Sequence, residues 1–199
     1  MRGVGVEDRD RRQVRVAEAT WRLIRRGGLA AASVRNIAGE AGMSMGSVRH
    51  LFATQQQLLS FAMEQVRQRA WARVEPSLGS PLDSPRRVES VLAETLPLDE
   101  QRRTESEVWV SLLAAGLTDP QLRERAERAH ADLLSLERHL LDGLVRAGHL
   151  RDDLDLDLEA ARLHALLHGL AVDLVTSSHL ETEQATRILR HHLDSLRSE

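Results

Sequence analysis

A short segment of the sequence carries side chains suited to contact with phosphate groups or with the edges of nucleic-acid bases. If the segment is helical, its outward residues are Met45, Ser47, Arg49 and His50. Arginine, histidine and serine form hydrogen bonds at base edges, and methionine fills space there. Val48, Leu51 and Phe52 then lie on the opposite face, where they meet the core. The pattern predicts a helix with one buried apolar face and one exposed polar face.

A second group with possible chemistry is the histidine pair His164 and His168, which are four positions apart. Two histidines at this spacing share a helix face, as zinc ligands often do. No carboxylate or third histidine is clearly placed to complete a ligand set. We therefore predict no metal and interpret the pair as helix-surface or interface residues.

Enzyme chemistry finds no support in the sequence. There is no cysteine to act as a nucleophile. Gly-x-Ser-x-Gly, Walker and dinucleotide-binding motifs are also missing from the chain. We predict that the protein is not an enzyme and needs no cofactor.

Two short helices must position the polar segment. Ser33 is placed to cap one that ends near Ala41, and Ser44 to cap a second that ends near His50. Gly42 and Met43 form the turn between them. These are the dimensions of a helix-turn-helix, in which the second helix enters the major groove of DNA. An ordinary pair of packed helices has the same dimensions, so the dimensions alone do not distinguish the two interpretations.

The remaining segments also repeat at helical spacing, and none alternates like a β-strand. The sequence therefore predicts an all-α fold of about nine helices. The fourth helix starts with a capping box at Thr54 and ends at Glu75, since Pro76 follows. Its successors begin near Pro85, Asp99, Pro120 and Thr182, and the eighth helix begins at the acidic segment 151–157, whose negative charge suits a helix start. A Pro-, Ser- and Gly-rich loop is predicted between residues 76 and 85.

The eighth helix carries apolar residues on nearly every face between Leu163 and Val175. Such a helix is buried on two sides, and one side needs a partner beyond its own core. We expect Asp173 to lie deep in this helix and to meet an arginine or histidine. The eighth and ninth helices together are predicted to form a homodimer interface from Leu163, Ala165, Leu166, Gly169, Leu170, Val172, Asp173, Ile188, Leu189 and His192.

Charge is unevenly distributed along the 199 residues. Residues 1–52 hold ten Arg and five acidic residues, a net charge of +5, and residues 53–199 carry a net charge of −8. The N-terminal segment is thus the one suited to a polyanion. The lack of cysteine and of a long apolar run predicts a cytoplasmic protein without a membrane segment.

The segment SVRNIAGEAGMSMGSVRHLFATQQQLL resembles the N-terminal signature of the TetR family of bacterial repressors. The resemblance is ungapped over about residues 13–62 and includes Gly28, Ile37, Gly42 and Phe52. It implies a DNA-binding, ligand-responsive transcriptional repressor that binds a palindromic double-stranded operator as a homodimer. The alternative is a helical regulator that acts through protein contacts without specific DNA binding.

The resemblance also implies which residues contact DNA, with the Ser47 and Gln55 positions on phosphates. Together with neighbours at the same helix starts, the predicted DNA-binding set is Ser33, Arg35, Ser44, Met45, Ser47, Arg49, His50, Thr54 and Gln55. Many members carry lysine where this chain has Gln55, so a charge is missing there. Arg11, Arg12 or Arg35 would supply it.

Residues 1–53 are predicted to form the helix-turn-helix domain, and residues 54–199 a helical effector-binding and dimerisation domain. Family members bind small effectors in an apolar pocket of the second domain, and the effector of this chain is unidentified. The predicted pocket residues are Phe61, Met63, Trp71, Trp109, Leu112, His164 and His168. Filling the core is the alternative role for the aromatic residues.

Overall fold

A computed structural model describes residues 3–79 and 83–197 of the chain, and it contains α-helices without strands over those ranges. The helices are α1 (Gly3–Gly27), α2 (Val34–Glu40), α3 (Met45–Leu51), α4 (Gln55–Leu78), α5 (Pro85–Ala93), α6 (Glu100–Ala115), α7 (Pro120–Arg146), α8 (Leu156–Thr176) and α9 (Thr182–Ser195). One turn of 3-10 helix, Leu29–Ala31, lies between α1 and α2. The predicted all-α class is confirmed.

The chain forms two compact units. The first unit comprises Met1–Gln68 and Glu107–Glu127, and the second comprises Arg69–Ser106 and Arg128–Glu199. These units are assembled from separate stretches of chain, whereas the predicted domain boundary at residue 53 divides the sequence once. That boundary stays a prediction about where the helix-turn-helix segment ends.

In the first unit, α1 packs against both α2 and α3, and α2 packs against α3. The side chains of Val16, Ile24, Ile37 and Val48 are at most 3% exposed and form one core with residues of α4. Burial of such side chains stabilises the fold by about 1.5 to 3 kcal/mol each. The short helices are therefore held mainly by this core.

In the second unit, leucines of α7, α8 and α9 form the core. Leu140, Leu144, Leu163 and Leu189 are fully buried, and α9 packs on α8 and on α5. The side chain of Asp155 accepts hydrogen bonds from the backbone N–H groups of Asp157 and Leu158, which fixes the start of α8. The acidic segment before α8 thus caps the helix as its sequence predicts.

The predicted end of α4 at Glu75 is wrong, because the helix continues through Pro76 to Leu78. A proline inside a helix removes one backbone hydrogen bond and crowds the carbonyl four residues earlier. Here it lies in the last turn, so few bonds are lost, and Val74 and Leu78 pack into the core of the second unit. The loop predicted between residues 76 and 85 includes positions 80–82, which lie outside the described residues.

The turn between α2 and α3 depends on Gly42, whose φ angle is 62°. The backbone N–H of Met43 donates to the carbonyl of Ala38 at 2.9 Å, and that of Gly42 donates to Gly39 at 3.1 Å. This is a left-handed glycine stop, which pairs carbonyl groups at the end of a helix. The conformation of Gly42 therefore sets the direction in which α3 leaves α2.

No helix within the described ranges is both long enough and apolar enough to cross a membrane.

We predict that Gly42→Ala lowers the free energy of unfolding by about 1 to 2 kcal/mol, because L-residues disfavour the left-handed conformation. A Cβ at Gly42 would meet no atom within 4 Å, so crowding does not contribute. Gly39→Ala is the matched control, since Gly39 lies in α2 with open space around it. It should raise the free energy of unfolding by about 0.5 to 1 kcal/mol. Urea denaturation measures both, and equal stability of the two variants would contradict the role assigned to Gly42.

Candidate functional site

The starts of α2 and α3 are built in the same way. Ser33 accepts a hydrogen bond from the backbone N–H of Asn36 through its Oγ, and Ser44 accepts one from Ser47 in the same manner at 3.0 Å. Each seven-residue helix thereby gains a partner for one of its free N–H groups. Ser33 and Ser44 of the predicted DNA-binding set act as N-caps in this structure, and their contact with DNA stays a prediction.

Helix α3 has the two faces that its sequence predicts. Val48, Leu51 and Phe52 are buried, whereas Arg49 and His50 are exposed. Met45 is 45% exposed, which is unusual for a large apolar side chain in this protein. An exposed face with a cation, an imidazole and a thioether fits the major groove, where hydrogen bonds and apolar contacts both identify bases.

Ser47 lies at the edge of this face and is half-buried. Its Oγ is 2.9 Å from Oγ of Ser44, and either hydroxyl is able to donate. When Ser44 donates, the hydrogen of Ser47 is left for an outside acceptor such as a phosphate oxygen.

The start of α4 carries the remaining residues of the predicted DNA-binding set, Thr54 and Gln55. Thr54 accepts a hydrogen bond from the N–H of Gln57, and the Gln57 side chain accepts one from the N–H of Ala53. The side-chain amide of Gln55 donates to the carbonyl of Ala32 at 3.0 Å. Since this amide is engaged within the protein, the backbone N–H of Gln55 in the first turn of α4 is the group best placed for a phosphate.

Arg35 is exposed on α2, and Arg11 and Arg15 are exposed on α1. Arg12 is half-buried and forms an ion pair with Asp8 at 3.9 Å. These side chains retain access to solvent, so the positive charge that the sequence predicts for the N-terminal segment lies at the surface.

Two residues that position these helices were not predicted. The indole N–H of Trp21 donates to the carbonyl of Ala62 at 3.0 Å and joins α1 to α4 inside the core. Glu40 at the end of α2 accepts hydrogen bonds from Arg22 and Arg26 of α1, which hold the pKa of its carboxyl below the usual value. The buried face of α1 is wider than a single i, i+3, i+4 stripe. Trp21 lies four positions after the buried Ala17 and so belongs to this face.

The predicted effector-pocket residues fall into both units. Met63 and Leu112 are fully buried in the core of the first unit, and Phe61 and Trp109 pack against that core. Trp71, His164 and His168 belong to the second unit. Met63 and Leu112 therefore fill the core in this structure, and an effector role for the set stays a prediction.

The predicted dimer residues divide by exposure. Leu163 and Leu189 are fully buried and Leu170 is 6% exposed within one protomer, so their prediction as interface residues is corrected: they have little or no exposed area left to bury. Leu166, Val172, Ile188 and His192 are half-buried, and Ala165, Gly169 and Asp173 are exposed. Asp173 is exposed in the single protomer, so its expected contact with an arginine or histidine stays a prediction about the dimer.

The exposed face of α8 includes residues that were not predicted. Leu158 is 56% exposed and Ala161 is exposed, and both lie on the face that carries Ala165 and Gly169. Ala161 lies four positions and Leu158 seven positions before Ala165, a helical spacing that could have identified them. The face therefore combines small residues with one large apolar side chain at its N-terminal end, and the exposed Arg162 and Asp173 add charges to it.

A buried polar pair lies on the inner side of α8. Nδ1 of His164 is 3.0 Å from Oε2 of Glu137 on α7, and the two residues are 7% and 2% exposed. Burial raises the pKa of Glu137, and the hydrogen bond from His164 opposes part of that change. Within the described residues, no group of three or more histidine, cysteine or acidic side chains is arranged to hold a metal ion.

Comparison with known proteins identifies both halves of the chain. Residues 16–60 match the model for bacterial regulatory proteins of the tetR family. Residues 85–198 match the model for the C-terminal part of BetI-type transcriptional repressors.

Individual relatives agree with these matches. The chain is 34% identical to the HTH-type transcriptional regulator PksA of Bacillus subtilis (strain 168), over 95% of this chain and 91% of that protein. A transcriptional regulator from Rhodococcus sp. Rha1 has 27% identity and a TM-score of 0.81, with 92% of this chain and 95% of that chain covered. A regulator from Saccharomonospora viridis, solved in complex with choline, shares the fold at 24% identity and a TM-score of 0.85, with coverage of 94% and 97%.

These matches favour DNA binding over the alternative of a regulator that acts through protein contacts alone. They also agree with the prediction that the protein is a regulator and not an enzyme. The protein belongs to the TetR family of DNA-binding transcriptional regulators.

Proposed function

We propose that the protein is a homodimeric repressor that binds a two-fold symmetric operator in the cytoplasm and releases it when a small effector binds to its C-terminal half. The observation that carries this proposal is the division of α3 into a buried face and an exposed polar face. A helix that served only to pack against its neighbours would not need to expose Met45, Arg49 and His50 together.

Arg49 is the group that we expect to set sequence preference. It is exposed, and within α3 it is the residue with a permanent positive charge. A guanidinium donates two parallel hydrogen bonds to O6 and N7 of guanine, a pattern that the other bases do not offer in the major groove. His50 and Met45 contact neighbouring positions from the same face.

The outer face of α8 supports dimerisation. Ala161, Ala165 and Gly169 allow a second helix to approach closely, and a Cβ at Gly169 would meet no atom within 4 Å in the single protomer. Leu158 would lose its exposure to water in such a contact. We therefore assign the interface to this face of α8 together with the half-buried Ile188 and His192 of α9.

A dimer of this kind presents two α3 helices related by a two-fold axis. The half-sites of its operator are then related by the same symmetry and lie about 34 to 36 Å apart, which is one turn of DNA. A ligand that changes this separation disengages both helices, provided that it binds the two conformations with different affinity. The choline complex of the Saccharomonospora viridis regulator supports a small-molecule effector for this fold.

Arg49→Ala should reduce affinity for the specific operator by roughly tenfold or more, because one bidentate contact contributes about 1 to 3 kcal/mol of discrimination. The preference for guanine at one position of each half-site should relax. Fluorescence anisotropy with the operator and with half-sites substituted at that position measures both effects.

Arg146→Ala is the matched control, since Arg146 is an exposed arginine of the second unit and pairs only locally with Asp142. Its affinity and base preference should equal those of the unmodified protein. Equal losses on every DNA sequence with Arg49→Ala would show that Arg49 binds phosphate and that the assigned base contact is wrong.

Ala165→Arg should convert the dimer to a monomer, because a long charged side chain cannot be buried between two closely packed helices. Ala131→Arg on α7 is the matched control, since both alanines are exposed and helical in the second unit. Sedimentation equilibrium at micromolar concentration measures the mass, and circular dichroism checks that both variants fold. A dimer that persists in Ala165→Arg would remove α8 from the proposed interface.

A further inference from the structure

A buried carboxylate on α7 lacks a cation of fixed charge. Glu137 is 2% exposed, and the groups that act on its charge are His164 at hydrogen-bond distance and His130 nearby. An ionised carboxylate is costly to bury unless it is paired and hydrogen-bonded. Burial raises the pKa of Glu137 in spite of both histidines, so they compensate its charge only in part.

The hydrogen bond to Glu137 fixes the orientation of the His164 ring. In the tautomer that carries its proton on Nδ1, this atom donates to the carboxylate and Nε2 keeps a lone pair. Nε2 is enclosed by protein and has no hydrogen-bond partner among the described residues. A buried polar atom without a partner costs stability, and such atoms are rare in folded proteins.

Two further histidines surround this ring. His130 contacts His164 edge-on with ring centroids 4.2 Å apart, and His168 does so at 5.4 Å. Burial lowers the pKa of His168, so its neutral form is favoured. His130 is exposed, and the cluster formed by Glu137, His130, His164 and His168 therefore extends from the protein surface to a buried carboxylate.

A purely structural role does not explain the arrangement. If the pair served only to join α7 to α8, we would expect Nε2 of His164 to be hydrogen-bonded to the backbone or to face solvent, because buried polar groups generally have a partner. A metal-binding role does not explain it either, because the described side chains form no set of three ligands. The cluster presents the lone pair of His164 Nε2, and the opposite nitrogen of the same ring lies against the carboxylate of Glu137.

We propose that this cluster is the polar anchor of the effector site, at which Nε2 of His164 accepts a hydrogen bond from an alcohol or amine group of a mostly apolar ligand. The inference rests on the proposed function, because it names the ligand chemistry of the C-terminal effector site. Leu167, which lies one turn along α8 from His164, belongs to the apolar core of the second unit, so the surroundings of the cluster are mostly apolar.

The charge of the cluster ranks the ligand classes. An ammonium group donates to Nε2 and also supplies the positive charge that Glu137 lacks, so amines bind tighter than alcohols. A carboxylate ligand brings a second negative charge and no donor, so it binds worst. An apolar ligand of equal size leaves Nε2 without a partner and lies between these classes.

The test compares four probes with the same ring: benzylamine, benzyl alcohol, toluene and benzoate. The full-length protein with ¹⁵N-labelled histidine is titrated, and the Nε2 resonance of His164 is followed by NMR. Benzylamine should bind about tenfold or more tightly than toluene, a difference expected for one hydrogen bond to a charged pair. The Nε2 resonance should move with benzylamine and benzyl alcohol.

Two variants connect the preference to the cluster. His164→Phe should reduce the benzylamine-to-toluene ratio to about one, and Glu137→Gln, which keeps an acceptor for Nδ1, should remove the advantage of the amine over the alcohol. His139→Phe is the matched control, because His139 is an exposed histidine on α7. It should leave every ratio unchanged.

The proposal is overturned if toluene binds the unmodified protein as tightly as the polar probes, if a folded His164→Phe keeps the benzylamine-to-toluene ratio, or if Glu137→Gln keeps the advantage of the amine over the alcohol. Stoichiometric binding of Zn²⁺ with shifts of all three histidines would overturn it in favour of a metal site. Operator binding by the same samples distinguishes failure of this inference from failure of the proposed function. Loss of polar preference with intact operator binding defeats only this inference, whereas failure of the unmodified protein to bind any operator defeats the proposed function.

Discussion

A seven-residue helix pairs only about three of its own backbone N–H groups, because the first four have no acceptor within the helix. Both α2 and α3 have that length, so the reading surface depends on what holds the ends and the inner face of each. Ser33 and Ser44 accept hydrogen bonds from backbone N–H groups at the helix starts, and the turn at Gly42 pairs carbonyl groups at the end of α2. Ile37 and Val48 pack the inner faces of the two helices into the core. The orientation of Arg49 and His50 is a consequence of these contacts, since neither side chain is fixed by a partner of its own in the core.

The two faces of α8 also differ in their surroundings. Its inner face contributes fully buried leucines to the core and also carries His164, which holds the carboxylate of Glu137. Its outer face presents Ala165, Gly169 and Leu158. A helix with these two faces is placed to couple the proposed effector site on one side to the proposed dimer contact on the other. The energy available for such coupling is the difference in effector affinity between the two states of the dimer.

Local rules were sufficient for most helices and for the reading surface, since caps, glycine stops and apolar spacing act over three to seven residues. Ser44, Gly42 and Val48 have the roles that their sequence neighbourhood predicts. The failures involve contacts between distant residues or competing local effects. Nothing in the sequence pairs Trp21 with Ala62 or Glu137 with His164, and only the fold brings them together. Pro76 did not end α4, because packing of the last turn outweighed the lost hydrogen bond, and an all-round apolar pattern could not show that Asp173 is exposed.

In the proposed complex, two copies of the exposed face of α3 read DNA as a symmetric pair. Selection of bound sequences from a pool of random duplex DNA by the full-length protein tests it most directly, since one measurement yields the base preference, the symmetry and the spacing. The account predicts an inverted repeat with a guanine at a fixed place in each half-site and half-site centres about 10 to 10.5 base pairs apart, or a multiple of that distance. Recovery of unrelated sequences, or of a single half-site without two-fold symmetry, would contradict it.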